Sequence, residues 1–277
     1  MTLRQKHVLA VHDISCMGRC SLTIALPVIS AAGITTTVMP TAVLSTHTGG
    51  LSGYTYRDLT SDMLAIADHW QTLSPSFDAI YTGYLGSKEQ LEIVAELIRR
   101  FKALAVIDPV MGDHGRLYAG FAPDFPLGMK KLCSHADVIC PNMTEALMML
   151  DMPYQEGPYS REFMEEILVK LAKIAGKVVL TGVYFSEDEY GAAAYEGSSI
   201  HYALKERIPG TCHGTGDLFA SVLTAGLVSG SSLNKATDAA AEFTAGSIRR
   251  TYEAGTDTRF GVNFEAGLKD LAGLINE

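Results

Sequence analysis

His213, Gly214, Thr215, Gly216 and Asp217 stand together in the stretch HGTGDLFAS, ahead of a run of apolar helix formers. Gly214 and Gly216 can reach backbone conformations that other residues resist, and they leave their amides bare. Leu218, Phe219, Val222, Leu223 and Ala225 follow with the spacing of a helix that buries one face. Bare N–H groups feeding a helix N-terminus suit an anion. The same residues also fit a plain helix start with a favourable early acid. Asp217 is what gives the anion reading chemical content. A carboxylate beside a bound anion opposes simple binding, but it can remove a proton during phosphoryl transfer.

Four further stretches carry polar or aromatic residues at loop starts. In IDPVMGDHGRLY (107–118), Pro109 stiffens a strand exit, and Gly112 and Gly115 allow a tight loop around Asp108 and Asp113. That stretch reads equally as a polar turn. In CPNMTEA (140–146), Asn142 has the position of a helix cap with Glu145 three residues on, as in a capping box. Asp108 and Glu145 are also hard oxygen donors of the kind that orient Mg²⁺ through its waters. LSTHTGG (44–50) places His47 and Thr48 before paired glycines, and Tyr84 lies in YTGYLG. His47 alone reads as a surface histidine, and Tyr84 alone as a packed aromatic.

Parallel β-strands are the elements that would bring these residues together. HVLAVHDI (7–14), TTTVMPTAVLS (35–45), DAIYTGYLG (78–86), LAVIDPV (104–110), ADVICPN (136–142) and KVVLTGV (177–183) read as strands. Several are continuously apolar, which suits a sheet covered on both faces. Helical patterns lie between them at Ser21 to Ala32, Arg57 to Thr72, Lys88 to Phe101, Thr144 to Asp151 and Ser160 to Ala175. The alternation predicts a doubly wound α/β fold. Residues 191–197 and 198–208 read as an antiparallel hairpin beside it, with closing helices near Thr215–Val228 and Leu233–Thr251. No repeat or linker interrupts residues 1–277, which predicts a single domain. Ligands of such folds bind beyond the carboxyl ends of the strands. Asp13 and Ser15 follow the first strand there, His47 and Thr48 the second, Tyr84 the third, Asp108 and Asp113 the fourth, Asn142 and Glu145 the fifth, and Thr181 and Gly182 the sixth.

Composition narrows the partners. With 47% hydrophobic and 19% charged residues, a large core is expected. A net charge of −9 leaves no broad basic footprint for nucleic acid. The apolar run after the basic start of MTLRQKHVLAVHDIS is too short for a membrane span and lacks a cleavage site. Five cysteines without a CxxC pair predict a reduced, cytoplasmic protein. No GxGxxG or GK[ST] pattern marks a dinucleotide fold or a P-loop.

In combination, THTG, TGYLGS (82–87), DPVMGDHGRLY (108–118), PNMTEA (141–146) and GTGD (214–217) resemble the ribokinase-like superfamily, and within it the pyridoxal kinase family. The resemblance implies an α/β, ribokinase-like fold and an enzyme that transfers phosphate from ATP to the 5′-hydroxymethyl group of pyridoxal, pyridoxamine or pyridoxine. It implies that Asp217 is the catalytic base, with Gly214, Thr215 and Gly216 as the anion hole. Asp108, Asp113, Asn142, Glu145, Thr181 and Gly182 correspond to the ATP site, with Asp108 and Glu145 holding Mg²⁺ through water. Asp13, Ser15, His47, Thr48 and Tyr84 correspond to the vitamer pocket. Members are cytoplasmic homodimers that need Mg²⁺ and often K⁺. HDISCMGRCS departs from the QSHVVxGxxGN pattern of pyridoxal kinases. Its Asp-x-Ser, like the His of CHGTGD, is similar to hydroxymethylpyrimidine kinases. A pyrimidine kinase, a bifunctional enzyme and a non-catalytic binder of B6 or nucleotide therefore stand as alternatives.

Overall fold

The computed structural model describes residues 4–276. The first three residues of the basic start, and the last residue of the expected domain, lie outside it. Nine strands form one sheet in the order β11-β10-β9-β8-β5-β4-β1-β2-β3. They are β1 (His7–Met17), β2 (Thr35–Thr46), β3 (Tyr56–Asp58), β4 (Ala79–Thr82), β5 (Leu104–Ile107), β8 (Val138–Ile139), β9 (Lys177–Val183), β10 (Glu189–Glu196) and β11 (Ser199–Glu206). The two remaining strands, β6 (Gly112–Asp113) and β7 (Arg116–Leu117), pair only with each other.

The six inner strands β9, β8, β5, β4, β1 and β2 are parallel. β3 caps one edge antiparallel, and the β10–β11 hairpin extends the other. This is the expected mixed α/β, ribokinase-like architecture. The inner strands read as continuous apolar runs because both faces are covered. Leu9, Ile80, Ile107, Ile139 and Leu180 enter one core, and Val8, Ala79, Val106, Val138 and Val179 enter the other. One face is layered by α2 (Thr60–Thr72), α3 (Lys88–Phe101), α4 (Phe125–Cys133), α5 (Met143–Met149) and α6 (Arg161–Leu171). The other is layered by α1 (Leu22–Ala31), α7 (Thr215–Ser229), α8 (Leu233–Glu253) and α9 (Leu268–Asn276).

Several boundaries differ from the sequence reading, each for a local reason. The helix expected from Arg57 begins only at Thr60, because residues 56–58 pair with β2 and Asp58 accepts the Thr60 amide at 2.8 Å. Pro27 sits inside α1, and Pro40 inside β2. Around Pro40 the β1–β2 register shifts, leaving one extra residue on β2 opposite Asp13. A proline is tolerated at such a bulge, where a ladder bond is already lost. Helices α4 and α9 and the 3₁₀ turns Thr258–Phe260 and Glu265–Gly267 have short patterns that the sequence reading did not assign. Among the described residues, no helix is long and apolar enough to cross a membrane.

The chain runs from β1 to β2 on one side, then resumes at β4 on the other side of β1. That reversal opens a crevice at the carboxyl ends of β1 and β4, where such sheets bind ligands.

Candidate active site

A cleft of about 720 Å³ of empty space lies at this crevice, lined among others by Asp13, Ser15, Cys20, Ser21, His47, Thr48, Tyr84, Asp113, Tyr118, Gly214 and Asp217. Asp217 enters it from the first turn of α7, whose N-cap Gly214 takes φ 74°. Its Oδ2 accepts the Ser21 amide at 2.8 Å. Its backbone carbonyl accepts the Ser221 hydroxyl at 2.6 Å within the helix and the Tyr81 hydroxyl at 3.3 Å, the latter pinning this turn to β4. The residue opens on the cleft on one side while protein encloses its carboxylate. Burial pushes that carboxylate up to about 7, the Ser21 amide opposing the shift and the negative charge of Asp13 adding to it. A base with affinity near neutrality is matched to taking a proton from an alcohol and giving it up again.

Asp13 is almost fully buried, and both of its oxygens accept hydroxyl protons, Oδ2 from Ser15 at 2.8 Å and Oδ1 from Ser21. Ser21 thus uses its side chain on one carboxylate and its backbone on the other. Its φ of 48°, unusual for a residue with a Cβ, is what allows both. Burial raises the Asp13 carboxyl above its ordinary range despite these donors. Tyr84 stands across the cleft with its ring 5.6 Å from Phe121, and burial raises its hydroxyl to about 12, so the phenol keeps its proton.

Asn142 does cap α5, in a reciprocal box with Glu145, and both also work outside the helix. Asn142 Nδ2 donates to Gly112 O at 2.9 Å, and Glu145 Oε1 accepts the Met111 amide at 3.1 Å. The capping box therefore clamps the 108–113 loop. Asp108 and Glu145 are both buried and both raised, Asp108 by burial and then by the charges of Glu145 and Asp217. Thr181 lies within β9 and bridges to Asn142, and Gly182 follows it at φ 78°. Asn142 and Gly182 border a second cavity with Thr144, Tyr154, Tyr184, Tyr190 and Arg207. Asp113 lines both cavities, so the two adjoin at it.

The structure thus gathers Asp13, Ser15, His47, Thr48, Tyr84, Asp113, Gly214 and Asp217 on one cleft, with Asn142 and Gly182 on the adjoining one. Asp108 and Glu145 are buried behind these walls rather than on either of them. Ser21, Cys20, Tyr118 and His213 also line the first cleft, and the sequence reading assigned them no role. Ser21 had no sequence signal, because its contact to Asp217 spans 196 residues. His213 did have one, its place directly before the glycine loop.

This carboxylate-rich site sets a pH dependence for the unliganded protein. Glu145 and Asp217, raised to about 8 and about 7, keep protons that an unfolded chain releases near pH 4, and burial shifts Asp13 and Asp108 in the same direction. Above that pH the folded state binds more protons, so stability falls as pH rises, until these groups ionise in the folded state too. His12, buried without a partner and lowered to about 3, acts oppositely, as do His7 and His213 to a smaller degree, but only below about pH 6.5. Thermal unfolding is therefore expected at a lower temperature at pH 8 than at pH 6.5. A midpoint that rose over this interval would contradict the raised proton affinity of Glu145 and Asp217.

Fold and site together define a kinase, an enzyme that phosphorylates an alcohol group. The chain belongs to the phosphomethylpyrimidine kinase family, whose model matches residues 25–261. Among solved structures it is similar to one of a Bacteroides thetaiotaomicron protein, provisionally described as a phosphomethylpyrimidine kinase, crystallised with pyridoxal. That protein is 40% identical, with a TM-score of 0.92, over 97% of this chain and 96% of the other. Pyridoxal kinase from Lactobacillus plantarum is 32% identical, with a TM-score of 0.90, over 97% of each chain. The pyridoxine/pyridoxal/pyridoxamine kinase of Bordetella avium is 27% identical over 255 residues, 85% of this chain and 82% of that one. These likenesses place the chain with the pyridoxal kinases.

Proposed function

We propose that this chain transfers the γ-phosphoryl group of ATP to the 5′-hydroxymethyl group of a B6 vitamer, as a step of pyridoxal 5′-phosphate salvage, within one catalytic domain. The observation that carries this reading is Asp217. It is a carboxylate raised to about 7, held by the Ser21 amide, at the N-terminus of a helix that opens with Gly214, Thr215 and Gly216. A primary alcohol is a poor nucleophile near neutral pH. Asp217 accepts its proton as the oxygen attacks phosphorus, and the glycine-loop amides and the α7 dipole stabilise the charge on the transferring group. The vitamer ring lies between Tyr84 and the Asp13–Ser15 side, under His47 and Thr48. ATP enters past Asp113, with Asn142, Thr181 and Gly182 along its path.

Mg²⁺ fits this site. Asp108 and Glu145 are buried hard oxygen donors, close enough that the charge of Glu145 raises the proton affinity of Asp108, and an ATP site with this much negative charge needs a cation. Among the described residues, no cluster of three or more acidic, histidine or cysteine side chains forms a closed cage. That agrees with an ion held by one or two carboxylates, water and phosphate. Such an ion would neutralise charge on the phosphates. A K⁺ requirement, a homodimer and a cytoplasmic location belong to the proposal through kinship.

A second reading, hydroxymethylpyrimidine kinase, is favoured by the matched family and by the Asp13–Ser15 pair on the cleft. ADP release measured with Mg·ATP and K⁺, separately on pyridoxal, pyridoxamine, pyridoxine and hydroxymethylpyrimidine, decides between them. Turnover on a B6 vitamer with little on the pyrimidine is expected. Turnover on the pyrimidine alone would transfer the assignment to the second reading. Ligand binding without turnover on any acceptor would make the chain a silent binder.

A further inference from the structure

Residues 257–261 run beside the cleft loops, and three successive carbonyls of this segment each bond to a different one of them. Thr258 O accepts the His213 amide at 3.4 Å, directly before the glycine loop. Arg259 O accepts from His47 Nε2 at 2.5 Å. Phe260 O accepts the Arg19 amide at 2.9 Å, two residues before Ser21. Gly261 takes φ 88°, and a Cβ there would stand 2.4 Å from Arg19 O, so the strap and the Arg19 loop are in backbone contact. At its other side the segment is anchored to α8, through Arg250 Nε donating to Asn263 O at 2.9 Å and Asn263 N donating to Thr251 Oγ1 at 2.7 Å. Asp257 shapes the strap from within, accepting the Arg259 amide at 3.0 Å and pairing with its guanidinium at 2.7 Å.

Of the three links, only that to His47 is made by a side chain. A carbonyl can only accept, so His47 Nε2 carries the proton. The Gly49 amide donates to Nδ1 at 3.1 Å, so that nitrogen carries the lone pair. Both ring nitrogens are thus committed inside the protein, one to the strap and one to the turn of the 47–50 loop. Such a ring offers a ligand its face and edge, with no hydrogen bond to spare.

We propose that residues 257–261 are a strap that sets the mutual spacing of the three loops around the acceptor alcohol, and that His47 is the positioning residue that ties the 47–50 loop to it. The kinetic arm rests on the cleft being the alcohol site, as proposed above; the structural arm does not. Two substitutions separate the two bonds of the ring. Gln at position 47 can place an amide N–H near Nε2 and keep the link to Arg259 O. Asn at the same position can accept from Gly49 but is too short to reach the strap. Asp257→Ala loosens the strap while leaving the lining of the cleft untouched.

Amide hydrogen exchange at Ser45 and Thr55, whose amides close the base of the loop that carries His47 by bonding to Thr55 O at 3.2 Å and to Ser45 Oγ at 2.9 Å, is the first readout in the unliganded full chain. His47→Asn and Asp257→Ala are each expected to speed it about tenfold, the scale of one lost hydrogen bond, and His47→Gln about twofold or less. The double variant His47→Asn/Asp257→Ala should exchange no faster than about the quicker single one, because the same link is broken once. In steady state, His47→Asn should raise KM for the acceptor alcohol about tenfold, with kcat and KM for ATP within about threefold, and His47→Gln should restore KM. Equal exchange in the Gln and Asn variants, or additive effects in the double variant, would overturn the strap. If the wild-type chain phosphorylated no B6 vitamer, the proposed function would fall while the exchange data still judged the strap. Should His47→Asn not fold, Asp257→Ala carries the same two readouts.

Discussion

Asp217→Asn is expected to lower kcat by roughly 10²–10⁴, the range typical of a lost general base, and at the same time to raise the thermal midpoint of the unliganded protein at pH 8. The two effects share one cause. The carboxylate is enclosed, and its ionised form is disfavoured by burial and by the negative charge of Asp13. The ordinary environment of a base is thus made unfavourable so that its proton affinity sits near neutrality. Asn has the same shape and an oxygen that can still accept the Ser21 amide, which Asp217 now does at 2.8 Å. It carries no charge to desolvate, so at pH 8, where the wild type must ionise within the fold, the variant is relieved. It cannot take a proton, so turnover is lost while ATP binding remains. Steady-state kinetics and thermal unfolding on one preparation check both halves. Near-native turnover would remove Asp217 as the base. A lowered midpoint at pH 8 would mean that the charge stabilises the fold rather than straining it.

The split between what was legible in the sequence and what was not follows the range of the interactions. The parallel core was legible because burial on both faces writes itself locally, as in the run Val8 to Val11 or Val178 to Leu180. The cap at Asn142 was legible too, since its partner Glu145 is three residues away. What that box does beyond the helix was not, because Gly112 and Met111 lie about thirty residues earlier and no local pattern joins them. Likewise HGTGD read as an anion loop or a plain helix start, while the contact that holds its carboxylate comes from Ser21, 196 residues earlier in the chain. The strap was the least legible. It acts through the carbonyls of Thr258, Arg259 and Phe260, and any side chains could have supplied those. His47 reads differently as well: alone it suggests a surface histidine, and by resemblance a pocket wall, whereas its ring is bonded at both nitrogens.

Gly214→Ala and Gly216→Ala are expected to differ sharply, although the two glycines flank one threonine. At Gly214 the backbone holds φ 74°, and an added Cβ would lie 2.2 Å from Arg19 O and 3.0 Å from Ile24 Cδ1. The left-handed conformation alone costs an L-residue roughly 1–2 kcal/mol, and backbone this close cannot simply yield. Relief requires the Arg19 carbonyl to move, and Arg19 is two residues from Ser21, whose amide holds Asp217. The same displacement presses on the Arg19–Phe260 bond to the strap. Gly214→Ala should therefore lower the thermal midpoint and cut kcat about 100-fold or more, since both the base and the anion donors shift. At Gly216 φ is not positive, and a Cβ would meet nothing within 4 Å. Gly216→Ala should keep the wild-type midpoint, so whatever turnover it loses measures how closely the transferring phosphoryl group approaches the loop. Native turnover in Gly214→Ala would mean that this loop does not hold the reacting anion. A destabilised Gly216→Ala would mean that its glycine serves the fold and not the ligand.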